Sequence, residues 1–186
     1  MNTLVIHPND PTTQYLSVMY ENDPNIVKMT EKNTNKEITE AIRFGNFDRI
    51  MMLGHGGEYG LYAPTGTKPH QQFGRDIISP EHVQFLREKE CIAIWCNANI
   101  YAEKYGMKGL FTGMVISELY EAEQCFVPVK DQEEQTEHNK LWVNALFECY
   151  EKYPLSEIPE KMEKYIQDRK MTPLEDFNFN SVFYFD

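Results

Sequence analysis

The sequence predicts an α/β fold, a mostly parallel sheet with helices on both faces, and three observations lead there. Short apolar runs at TLVIHP (Thr3 to Pro8), Ile50 to Leu53 and CIAIWC (Cys91 to Cys96) have the composition of strands buried on both sides. Amphipathic segments of helical spacing stand between them, and that alternation calls for right-handed crossovers. A length of 186 residues with 41% hydrophobic content provides one core and is short for two, so residues 1–186 are expected to form a single domain.

Taken in order, the first strand stops at the turn signal Asn9-Asp10-Pro11. Tyr15 to Tyr20 is expected as a short helix and Asn25 to Thr30 as a second strand. In NKEITEAIRF, Asn35 to Phe44, the residues Ile38, Ala41, Ile42 and Phe44 are expected to share one helical side, and Gly45-Asn46 supplies a stop. That crossover helix leads into DRIMMLGHGG, whose four apolar residues end at glycines. The pattern repeats with a helix over Pro80 to Glu90, proline at its start, and the strand Cys91 to Cys96. A short helix from Ile100 to Tyr105, a strand from Leu110 to Ser117, helices over Asn139–Tyr153 and Ile158–Gln167, and an aromatic strand Ser181–Phe185 complete the reading. The acidic stretch KDQEEQTEH, Lys130 to His138, is expected to be a solvated, mobile loop.

A formal charge of −11 without a basic cluster excludes the usual electrostatics of nucleic-acid or anionic-lipid binding. No run approaches the roughly 20 apolar residues of a membrane helix. The first residues lack a basic flank and a long apolar stretch, so they do not read as a signal peptide and a cytoplasmic location is expected. The four cysteines form no CxxC pair, which points to reduced thiols rather than a disulfide framework or a zinc ribbon. No cofactor or metal is expected.

In a parallel sheet flanked by helices, chemistry gathers at the carboxyl edge of the strands. The residues just past the third and fourth strands are His55-Gly56-Gly57 and Cys96-Asn97-Ala98-Asn99. A histidine on one tip and a cysteine on the next satisfy the need of thiol catalysis for a base within reach of the sulfur. The imidazole is expected to lower the thiol pKa, aided by the amide dipoles of the helix that follows Cys96. Gly56 can turn its N–H toward a developing oxyanion, and the N–H of Cys96 is a second donor.

An apolar strand ending in His-Gly, IMMLGHGG, followed by a second ending in Cys, CIAIWCNAN, resembles the caspase-like superfamily of caspases, metacaspases, legumain, gingipains, clostripain and separase. The resemblance covers roughly positions 3 to 117. It implies a three-layer sandwich and a cysteine endopeptidase with a His55–Cys96 dyad. It further implies a polypeptide substrate, one preferred residue before the cut, and room for a regulatory protein partner. The caspase pattern QAC-x-G is absent, with Ile94-Trp95-Cys96-Asn97-Ala98 in its place, so an aspartate preference has no support.

Each residue also has a structural reading. Cys96 alone would be a buried thiol and His55 alone a turn histidine. Cys91 should face away from Cys96, and Cys125, Cys149, Trp95 and Trp142 should serve packing. Residues Thr112 to Glu118 are placed to line a specificity pocket. A nucleotide-binding turn fits poorly because Tyr59 stands where GxGxxG needs its third glycine. A metal site built from His7, His55, His70, His82 or His138 lacks HxH or HExxH spacing. A non-catalytic relative that keeps the fold and binds a partner remains the main rival.

Overall fold

A computed structural model describes residues 1–64, 73–167 and 170–186. The chain opens with β1 (Thr3–Ile6), a 3-10 turn at Gln14–Met19, β2 (Ile26–Met29), α1 (Asn35–Phe44) and β3 (Arg49–Leu53). A small antiparallel unit follows, with β4 (Gly56–Gly57), β5 (Gly60–Pro64) and β6 (Phe73–Ile78). Then come α2 (Val83–Leu86), β7 (Glu90–Ile94), α3 (Ala98–Tyr105), β8 (Gly109–Thr112) and α4 (Leu119–Gln124). The chain closes with α5 (Gln132–Lys152), α6 (Ile158–Gln167), α7 (Pro173–Phe179) and β9 (Val182–Phe185).

The main sheet has six strands in the order β2-β1-β3-β7-β8-β9. Every pairing is parallel except the last, where β9 runs against β8. Because β2 lies on one side of β1 and β3 on the other, the strand order reverses between β1 and β3. In open sheets of this kind the crevice at the carboxyl ends beside such a reversal is the natural ligand position.

Side-chain alternation splits the core into two layers. Leu4, Ile6, Ile50, Met52, Cys91 and Ala93 face α1, α2, α3 and the β5–β6 ladder. Val5, Met51, Leu53, Ile92 and Ile94 face α5, α6 and the first 3-10 turn. The molecule is thus an α/β sandwich of three layers. Each fully buried Leu or Ile on these faces contributes about 1.5–3 kcal/mol relative to exposure. Trp95 and Trp142 are both buried, on opposite faces of the sheet.

The first crossover helix spans Asn35–Phe44 as its pattern predicts. Thr34 caps it, accepting from Glu37 N, and Glu37 reciprocates to Thr34 N. Three expectations need correction. The acidic stretch is not a loop: Asp131 caps the 21-residue α5, and Gln135 and His138 turn inward from its first turns. The strand placed over Leu110–Ser117 ends at Thr112, and residues 113–118 connect it to α4. The helix placed over Pro80–Glu90 is a short 3-10 and α segment ending at Leu86, with Glu90 already in β7.

Candidate active site

The His55 tip is shaped by two glycines. Gly54 has φ +140°, a conformation that favours glycine, and an added Cβ would meet Leu61 and Pro8 at 3.3 and 3.5 Å. Its N–H donates to Ile94 O at 3.0 Å, carrying the β3–β7 ladder out to the tips. Gly56 lies against the Trp95 ring, where an added Cβ would stand 2.3 Å from Cδ1 and 2.4 Å from Gly60 O. Tyr62 N donates to His55 O at 2.8 Å, fixing the histidine backbone against β5. Because His55 and Tyr62 form the hydrogen-bonded pair, the next pair, Gly56 with Leu61, is the non-bonded kind, and the Gly56 N–H turns away from β5.

The imidazole meets the chain that leaves β1. Thr12 Oγ1 donates to Asp10 Oδ1 at 2.8 Å, and Thr12 N donates to the same oxygen at 2.9 Å. Thr12 Oγ1 also stands 2.7 Å from His55 Nε2. The single hydroxyl proton is committed to Asp10, so the hydrogen-bond network assigns the donor role to His55 Nε2–H. A neutral ring in that tautomer carries its basic lone pair on Nδ1. Asp10 Oδ2 lies 3.9 Å from Nε2 and supplies negative charge for an imidazolium. Both Asp10 and His55 are buried.

Cys96 occupies a sharp turn between β7 and α3. Trp95 N donates to Thr112 Oγ1 at 3.1 Å, and Thr112 Oγ1 donates back to Trp95 O at 2.9 Å. Asn97 follows in the left-handed conformation, φ 66°, its N–H donating to Gly113 O at 3.1 Å, and α3 begins at Ala98. The end of β7 and the start of α3 thus flank Cys96, and the left-handed residue follows the cysteine.

The sulfur faces the loop after β8. Cys96 Sγ donates to Val115 O at 3.6 Å and lies 4.0 Å from Glu121 Oε1. Burial, and then the Glu121 carboxylate, push this thiol up to about 12. The direction is opposite to the lowered pKa that pairing with an imidazole predicts: the acidic partner lies nearer the sulfur than the sequence suggests, so the resting thiol is protonated. Burial likewise raises Tyr15, with Cys96 and Glu121 adding to the effect, which places its phenol in the same enclosure.

A cleft of about 570 Å³ opens beside these groups. Pro11, Thr12 and Tyr15 form one wall, Ser117 to Tyr120 with Glu123 a second, and Gln132, Thr136, Asn139 and Lys140 of α5 a third. Ser117 and Glu118 thus line it, at the end of the stretch expected to form a specificity pocket. The 115–118 segment is held from behind. Asn178 Oδ1 accepts from Ile116 N, and Asn178 Nδ2 donates to Ile116 O, both at 2.8 Å. Gln135 Nε2 also donates to Ile116 O, at 3.1 Å, and Asn139 Nδ2 to Ser117 O, at 2.8 Å.

The structure therefore carries His55, Gly56 and Cys96 on adjoining strand tips, with the cleft alongside. Sequence reasoning missed Asp10, Thr12, Tyr15 and Glu121. For Asp10 and Thr12 a signal existed, since a carboxylate and a hydroxyl directly beyond the first strand occupy the same carboxyl edge as His55. Cys91 packs on the opposite face from Cys96, and all four cysteines are free. Among the described residues no group of three or more His, Cys, Asp or Glu side chains is arranged to hold a metal ion. His70, one of the histidines weighed as a ligand, lies outside the described residues. No family model matches the chain, and no curated protein matches it.

Proposed function

We propose that the protein is a cysteine endopeptidase of the caspase-like kind, with Cys96 as nucleophile and His55 as base. The observation that carries the reading is the register of β3 against β7: Leu53 pairs with Ile94, Gly54 N bonds Ile94 O, and His55 and Cys96 follow in adjoining positions. They do so next to the reversal of strand order, beside the cleft.

In this reading Thr12 and Asp10 hold His55 in the tautomer whose Nδ1 accepts a proton. The Cys96 thiol gives its proton to that nitrogen as sulfur attacks the peptide carbonyl, forming the C–S bond. The Gly56 and Cys96 N–H groups receive the oxyanion. His55 then returns the proton to the departing amine as the C–N bond breaks, and water hydrolyses the thioester. Glu118 and Glu123 in the cleft wall give it a negative potential that favours a cationic side chain, with Lys140 opposing them in part.

Cleavage of a positional-scanning peptide library by wild type, Cys96→Ala and His55→Ala tests the proposal. Turnover by wild type alone is expected, and equal turnover by all three would overturn it. A second reading, a fold-retaining relative that binds a protein partner in the cleft, is favoured by one observation, the protonated and desolvated Cys96 thiol. Binding of a partner undiminished by Cys96→Ala, without cleavage, is its signature.

A further inference from the structure

We infer that Glu121 is a charge latch that keeps Cys96 in its unreactive thiol form, acting through electrostatics rather than packing. The inference rests on the reading of Cys96 as nucleophile for its meaning, though its test needs no substrate.

The position of Glu121 is set by the start of α4. It is the third residue of that helix and closes a capping box with Glu118, accepting from Glu118 N at 3.1 Å. Ser117 N and Ser117 Oγ donate to the same oxygen at 2.8 and 3.0 Å. Three donors thus fix Oε2, and Oε1 is left directed at Cys96 Sγ, 4.0 Å away. The residue is buried, and the three donors that meet one oxygen hold the carboxyl group in this orientation. The loop that supplies the donors also supplies Val115 O, the acceptor of the thiol proton. That loop is clamped by Asn178, Gln135 and Asn139, so the carboxylate cannot drift from the sulfur without breaking several bonds at once.

The other titratable groups facing the sulfur do not offset this charge. Tyr15 from the 3-10 turn, Tyr120 from α4 and Cys125 at its far end carry no positive charge. His55 stands on the adjoining tip, tied through Thr12 to Asp10. A thiolate at Cys96 would therefore form next to a fixed like charge, which disfavours it. Activation in this scheme is the withdrawal or neutralisation of Glu121, by movement of α4 or by a cationic group entering the adjacent cleft.

The test follows iodoacetamide alkylation of each cysteine between pH 6 and 10 by peptide mass spectrometry. Wild type is compared with Glu121→Gln, Glu121→Met and Glu121→Asp. Gln and Met match the size and remove the charge; Asp keeps the charge in a shorter side chain. The expected result is a Cys96 midpoint lower by at least about one pH unit in Gln or Met, roughly a tenfold faster reaction at pH 7, with Asp near wild type. Cys91, buried in β7, stays slow in all of them. An unchanged Cys96 profile in the charge-free variants overturns the inference, as does an equal acceleration in Asp or a parallel rise at Cys91, since both mark steric opening. The peptidase reading fails separately, through unchanged cleavage in His55→Ala, whatever Glu121 does.

Discussion

Removing the side chain of Asn178 tests how the cleft floor is held, and its cost can be worked from the bonds it makes. Asn178 is buried at 1% exposure and sits near the end of α7, remote in sequence from the loop it clamps. Its carboxamide acts as a strand partner for Ile116, accepting from the N–H and donating to the carbonyl, each at 2.8 Å. It also meets His138 Nε2 at 2.9 Å. In Asn178→Ala the Ile116 carbonyl keeps Gln135 Nε2, at 3.1 Å, but Ile116 N and His138 Nε2 lose their partner inside the protein. Each buried group left unsatisfied costs about 1–3 kcal/mol, so a loss of about 3 kcal/mol is expected. Asn178→Asp keeps the acceptor for Ile116 N but sets a second oxygen against Ile116 O, and should cost at least as much at pH 7. Equilibrium urea unfolding followed by tryptophan fluorescence reads this directly, because Trp142 Nε1 donates to Asn178 O. The loosened loop should also speed alkylation of Cys96 while Cys91 stays protected. If both variants lose less than about 1 kcal/mol, the clamp is not what holds the 115–118 segment.

Three further outcomes follow from the same geometry. Gly56→Ala should cost about 2–3 kcal/mol or prevent folding, because the new methyl meets Trp95 and Gly60 O at 2.3 and 2.4 Å; wild-type stability in urea would refute the close approach. His7 and His138 are each held down to about 4 by burial, so the unfolded chain binds more protons below its own pKa near 6.5. The contribution of these two histidines should therefore be fully present above pH 7 and fall between pH 6.5 and 4, by an amount on the order of 2–3 kcal/mol per histidine, and a flat urea midpoint from pH 7 to 5 would contradict this. Thr12→Val keeps the shape of the side chain but removes the oxygen between His55 and Asp10. It should lower peptide turnover about tenfold or more with little change in KM, and unchanged kcat would show that the hydroxyl does not position the imidazole.

How much of this was legible in the sequence varies by element for physical reasons. The span of α1 was readable because its apolar side and the Gly45-Asn46 stop define it locally, although Phe44, placed on that side, is exposed. The buried strands were readable because burial on both faces leaves an uninterrupted apolar run. The first turns of α5 were misread: their acidic composition looks solvated, yet Asp131 and Glu134 carry the spacing of a cap, and only Gln135 and His138 face inward. The same cap signal stands at Thr172-Pro173-Leu174-Glu175, where α7 begins. In the site, the two strand tips could be placed from chain order. The residues that tune them could not, since His55 meets Thr12 across 43 positions and Cys96 meets Glu121 across 25. Nothing local in the sequence announces such pairs.

Covalent capture tests the central claim, a Cys96 nucleophile served by His55, most directly. A mixture of peptidyl acyloxymethyl ketones varied at the residue next to the warhead would be incubated with wild type, Cys96→Ala and His55→Ala, and the adducts mapped by mass spectrometry. The account predicts one adduct, on Cys96 of wild type, absent from Cys96→Ala and formed about a hundredfold more slowly in His55→Ala. Labelling spread over Cys96 and Cys125, or equally rapid labelling of Cys96 without His55, would contradict it.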